Sequence, residues 1–150
     1  MKSNYDTDFH AWTQEQAQRL KDGDWQNIDV LNLVEEIQSL GKQQRQELRN
    51  RLAILIGHLL KWQFQSDRHS RSWLATIRVQ RRDLDRLIED SPSLKAYFND
   101  AIAHAYENAR DLAIAETDLP ETTFPETCPY TIDQIRDRDF YPGPTELTQP

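Results

Sequence analysis

At 150 residues with a mean hydropathy of −0.82, the chain has the length of one folded domain and is too polar overall for a membrane protein. Its longest apolar run, Leu52 to Leu60, is interrupted by His58 and falls far short of the roughly 18 to 20 residues that a spanning helix needs. The single cysteine, Cys128, excludes an internal disulfide and a thiolate metal set, and Met1-Lys2-Ser3-Asn4-Tyr5-Asp6 lacks the apolar stretch of a secretory signal. A soluble, cytoplasmic protein is therefore expected, and four tryptophans with five tyrosines favour a packed core over disorder.

The net charge of −7 is unevenly spread. Eleven basic residues face four acidic ones between Lys42 and Arg86, whereas the flanks together hold seven basic and twenty-one acidic residues. Acidic helices packed beside basic ones, or unlike surfaces paired between copies, would account for this division. A basic face for nucleic acid is the sharper alternative.

In chain order, the first predicted helix runs from about Asp6 to Lys21, with Thr13 and Gln16 also spaced as a capping box. Gly23 ends it, and Asp29 caps a second helix whose Leu33, Ile37 and Leu40 share a face. Gly41 predicts a break or kink, since glycine costs about 1 kcal/mol in a helix interior. From Gln44 to Phe64, apolar residues surround most of the helix, which predicts a central position.

Ser70 or Ser72 can cap a further helix in which Trp73, Ile77, Leu84, Leu87 and Ile88 share one arc while Arg78, Arg82 and Arg86 face solvent. Ser91-Pro92 then starts a helix reaching about Glu116, whose Ala101, Ala105 and Ala109 permit close packing. Pro120, Pro125 and Pro129 predict an extended strap that packs Phe124 and Tyr130 on the bundle. Thr131 and Gln134 predict a short helix from about Ile132 to Arg138, and the residues from Pro142 to Pro150 should fray. The expected fold class is all-α: a helical bundle of four to five helices with an extended proline-containing C-terminal strap, as one domain over residues 1–150.

Several fragments carry a resemblance. Tyr5-Asp6-Thr7-Asp8-Phe9, Leu33-Val34-Glu35-Glu36-Ile37, His58-Leu59-Leu60-Lys61-Trp62, Ser72-Trp73, Ser91-Pro92-Ser93-Leu94 and Cys128-Pro129-Tyr130 together resemble the twenty-ninth family in the domain-of-unknown-function series, common in cyanobacteria. The resemblance covers nearly the whole chain. It implies an all-α fold and a bacterial cytosolic setting, with no established activity, cofactor or catalytic residue to transfer.

The polar residues that invite a role are Glu36, His58, Trp62, Trp73 and Arg81. Carboxylates and an imidazole on facing helices can bind metal, but bundle di-metal sites use Glu-x-x-His, and position 55 before His58 is leucine. Arg81 borders an apolar face and should find a carboxylate partner such as Glu36 or Glu116, or else bind a carboxylate or phosphate. Trp62 and Trp73 flank the polar link Gln65 to Arg71, where they close the end of the bundle or grip a partner. With four glycines there is no phosphate loop, and no Gly-x-Ser-x-Gly run is present.

The expectation is a non-enzymatic protein-interaction or regulatory module, binding itself or another protein, without metal or cofactor. A nucleic-acid-associated regulator using residues 42–86 comes second. A metal-dependent hydrolase built on Glu36 and His58 comes third.

Overall fold

The computed structural model describes residues 4–143; of the tail expected to fray from Pro142, Pro142 is buried and Gly143 exposed, and the rest lies outside the described residues. The described residues are helical with no strand, as expected. Helix α1 is Asn4–Thr7, α2 Phe9–Asp22, α3 Val30–Phe64, α4 Arg71–Asp90, α5 Phe98–Glu116 and α6 Ile132–Arg136. Two compact units divide the chain, Met1–Gln43 and Gln44–Pro150.

In the first unit the predicted N-terminal helix is two. Asp8 leaves helical geometry and its carboxylate accepts from the Ala11 N–H at 3.1 Å, so Asp8 caps α2. Thr13 instead lies inside α2 and its hydroxyl donates to the His10 carbonyl. Gly23 ends α2 at φ 69°, with the Gly23 and Asp24 N–H groups returning to the Leu20 and Arg19 carbonyls. A left-handed residue of this kind favours glycine.

Asp29 ties α2 to the start of α3. It accepts from the Trp12 indole at 3.0 Å and from the Asn32 side chain at 2.8 Å, while its own backbone N–H donates to Gln16 at 2.8 Å. These bonds hold its carboxyl below the ordinary carboxylate range, the Asn32 bond first and the Trp12 bond next.

Such polar anchoring decides which side of α3 is covered. Asn32, Leu33, Glu36 and Ser39 are the partly covered residues, and Tyr5 donates to Glu36 at 2.6 Å. Of the face shared by Leu33, Ile37 and Leu40, Leu33 is partly covered while Ile37 at 66% and Leu40 at 62% are exposed, and Val30, Leu31 and Val34 are exposed as well. Gly41 produces no break. The helix runs through it from Val30 to Phe64, the cost of about 1 kcal/mol for an interior glycine being too small to break a helix of this length.

The second unit is the bundle. Leu48, Leu52, Leu55, Leu59 and Leu60 of α3, Ile77, Leu84 and Ile88 of α4, and Phe98, Ala101, Ala105, Ala109 and Ala113 of α5 form one buried core. Ser70 caps α4 through the Trp73 N–H at 3.1 Å. Pro92–Tyr97 winds as a 3₁₀ segment before α5, in place of the expected α-helix starting at Pro92. The Ser91 hydroxyl makes no cap there and donates to Gln44 at 3.3 Å.

The alanines of α5 permit close approach to α3. A Cβ placed on Gly57 would overlap a Leu112 methyl and lie 3.2 Å from the Ala109 carbonyl oxygen. The strap packs as expected, with Phe124 and Tyr130 buried, Tyr106 donating to the Pro125 carbonyl and Tyr130 to Gln63 at 2.7 Å. Thr131 and Gln134 complete a reciprocal capping box, and α6 stops at Arg136, two residues earlier than expected.

Candidate functional site

Arg81 is the most deeply buried charged side chain among the described residues. It sits on the core-facing side of α4 at 1% exposure, where α6 packs over it. Its Nε–H donates to the Ile135 carbonyl at 2.9 Å and Nη2 to the Gln134 carbonyl at 3.1 Å. The expected carboxylate partner is therefore corrected: backbone carbonyls take the guanidinium, because α6 presents its chain there. Glu116 pairs with Lys61 at 2.9 Å, and Glu36 accepts from Tyr5. Burial lowers the proton affinity of Arg81, with Tyr141, Asp137 and Asp139 opposing that shift.

An aromatic series adjoins it. The Arg81 guanidinium lies 5.3 Å from the Tyr141 ring, Tyr141 is 5.1 Å from Trp62, and Trp62 stacks on His69 at 3.7 Å. His69 is fixed by donating Nε2–H to the Trp62 carbonyl at 2.7 Å, and its ring tilts towards Trp73 at 6.5 Å. Lys61 lies with its ammonium 4.6 Å from the Trp73 ring, a cation–π contact that supports burial of the charge. Trp62, Trp73 and Arg81 are thus linked through His69, Lys61 and Tyr141.

His58 is half-buried, and its Nδ1–H donates to the Ile54 carbonyl at 2.8 Å, since a carbonyl can only accept. Desolvation first, and Lys61 after it, lower the imidazole from its ordinary value of 6.5, while the Ile54 carbonyl and Glu116 oppose. Because the folded state binds the proton less well than the unfolded chain, the contribution of His58 to stability is complete above about pH 6.5 and declines below it. His58→Gln should remove a pH slope of no more than about 1.4 kcal/mol per unit, read as the difference in urea midpoints between the two proteins across that range. Parallel midpoints would refute this assignment.

Among the described residues no group of three His, Cys, Asp or Glu is placed to hold a metal ion. Cys128 is half-buried, its thiol donating to the Tyr130 carbonyl at 3.6 Å, and burial pushes its pKa up, away from a reactive thiolate.

Sequence reasoning passed over Tyr141 and Arg138, which stand at the edge of the segment read as a fraying tail. The Phe140-Tyr141 pair was the available signal, because adjacent aromatics in a polar, proline-rich end need a surface to pack on. A shallow hollow of about 340 Å³ lies between Arg78, Arg81 and Arg82 of α4 and Arg138, Asp139 and Tyr141.

The molecule is an all-α helical-bundle protein whose polar centre is a buried arginine clasped by its own C-terminal segment. The chain belongs to the family Domain of unknown function DUF29, which it matches over residues 4–141. No curated protein and no solved structure matches it. No helix among the described residues is long and apolar enough to cross a membrane.

Proposed function

We propose that the protein is a non-enzymatic docking module whose first unit receives an amphipathic helix of a partner protein, apolar on one side and rimmed by lysine or arginine. The observation that carries this reading is the open stripe on α3. On a wheel of 3.6 residues per turn, Val30, Val34, Ile37 and Gly41 lie within about 60° of one another, with Leu40 beside them. Leu31 of the same helix and Trp25 ahead of it are exposed as well, at 84% and 68%. Contiguous apolar surface of this kind marks interaction sites, and helix-in-groove recognition uses this spacing of anchors.

Charge selects the partner. Residues 1–43 hold four basic and eight acidic residues, and exposed Glu35 follows Leu31 by one turn of α3. A second copy laid on the same face would set like charge against like, whereas a basic rim would be attracted. The open position at Gly41 would let a partner backbone approach closely.

The test uses a labelled amphipathic peptide with leucines on one face and lysines flanking them, beside a version with glutamates in place of the lysines. Fluorescence anisotropy should show the lysine peptide binding, the glutamate peptide binding at least about tenfold more weakly, and Val34→Glu with Ile37→Glu abolishing the signal. Equal affinity for both peptides would overturn the proposal. So would a parent protein that sediments as a dimer and becomes monomeric in the double variant, since the face would then be a self-contact.

The nucleic-acid reading keeps one observation in its favour, the exposed Arg78, Arg82 and Arg86 on α4. Much of the remaining basic charge of residues 42–86 is engaged internally: Arg51 with Glu47 and Asp83, Lys61 with Glu116, and Arg81 with α6.

A further inference from the structure

The geometry points to an anion site in the hollow between α4 and the segment after α6, suited to a small phosphate monoester seated on Arg78, Arg81 and Arg82. This inference is independent of the docking face, which belongs to the first unit.

Three observations support it. First, Arg81 is buried and only partly satisfied. Two carbonyls take Nε–H and one Nη2 hydrogen, but Nη1 is buried with no hydrogen-bond partner. Guanidinium offers five donors, and buried donors left unpaired are costly, so Arg81 brings unmet hydrogen-bonding capacity to the wall of the hollow that it lines. Second, the lining is strongly one-signed. Arg78, Arg81, Arg82 and Arg138 line the hollow with Asp139, and with Arg136 they outnumber the three carboxylates that act on them, Asp85, Asp137 and Asp139, a surplus of positive charge that suits an anion. Arg138 is steadied by Asp85 at 3.3 Å, which also pairs with Arg136 at 3.6 Å.

Third, the arginines are arranged for it. Positions 78, 81 and 82 are three and four apart and share a side of α4. The sequence alone set Arg78 and Arg82 outward and Arg81 inward. The chain after α6 closes over that boundary and places all three on one recess. Planar guanidinium groups match phosphate oxygens in paired hydrogen bonds, and a recess of about 340 Å³ is of the size that encloses a small molecule. Asp139 at the rim can accept a hydrogen bond from a hydroxyl on the esterified group.

The test is calorimetric titration of the full chain at low salt with inorganic phosphate, AMP, adenosine, acetate and a short single-stranded DNA. Phosphate and AMP should bind at one site per chain, adenosine should not bind, and acetate should bind more weakly. Arg78→Gln with Arg82→Gln changes two exposed side chains, so it should keep the parent circular dichroism and melting temperature while weakening AMP by about tenfold or more. Arg81→Lys, which keeps the charge but loses the planar fork, should weaken AMP to a similar degree.

No heat with either phosphate or AMP would overturn the inference, as would acetate binding as tightly as phosphate. Unchanged AMP affinity in the folded double variant would also overturn it. DNA affinity that grows with strand length and exceeds that of AMP would do the same, because the arginines would then form an open polyanion surface.

Discussion

Replacing Arg81 with methionine is expected to lower the free energy of unfolding by about 3 kcal/mol, measured by urea titration of the parent and variant proteins. Methionine retains much of the arginine's volume, so the cavity left is small. The loss comes from the carbonyls of Ile135 and Gln134, which now accept from a guanidinium and would be left without that donor. The Ile135 carbonyl lies in the buried part of the interface, where water replaces the missing donor poorly. The ring of Tyr141 would lose its cation as well. A variant as stable as the parent would show that the buried charge costs as much as its bonds return, a result known for buried ion pairs replaced by apolar residues.

Gly57→Val should destabilise the bundle by about 1–3 kcal/mol. Two opposing effects meet at this position. Glycine is the poorer helix former, and relieving that deficit would favour any replacement by up to about 1 kcal/mol. Valine, however, adds branched bulk where even a single Cβ would overlap Leu112. The Leu112 methyl can swing aside, but the Ala109 carbonyl oxygen at 3.2 Å belongs to α5 backbone and cannot. Adding Leu112→Ala to Gly57→Val should recover part of the loss, and the coupling appears in a double-mutant cycle. If the two changes are strictly additive, Leu112 is not the neighbour that limits the approach of α3 to α5.

The bundle was legible because its signals are local and repeated. Leu48, Leu52, Leu55 and Leu59 recur at helical spacing, Ser70 caps where the polar link ends, and the alanines of α5 mark close packing. The Thr131 capping box could be read from two residues alone. Other features depend on partners distant in sequence. Nothing local to Leu33, Ile37 and Leu40 says that Tyr5, Trp12 and Gln16 will fasten the side of Asn32 and Glu36, covering Leu33 in part and leaving Ile37 and Leu40 open. Nor does α4 by itself reveal that carbonyls, rather than a carboxylate, will meet Arg81. Of the polar candidates, Trp62, Trp73 and Arg81 occupy one connected region; the polar link between α3 and α4 made the nearness of the two tryptophans readable, whereas Arg81 joins them only through Tyr141. Tyr141 and Arg138 escaped notice because a proline-rich end carries no periodicity from which to infer contact.

The strap's anchors reach far back along the chain. Tyr130 meets Gln63, 67 positions earlier, and the two carbonyls held by Arg81 lie 54 and 53 positions after it. Synthesis runs from α3 towards α6, so Arg81 is made more than fifty residues before the two carbonyls that hold it. The last-made segment therefore finishes the core as well as the clasp, since Ile135 is buried in it, and a chain cut short before α6 would lose that part of its greasy interior together with both carbonyls that meet the arginine.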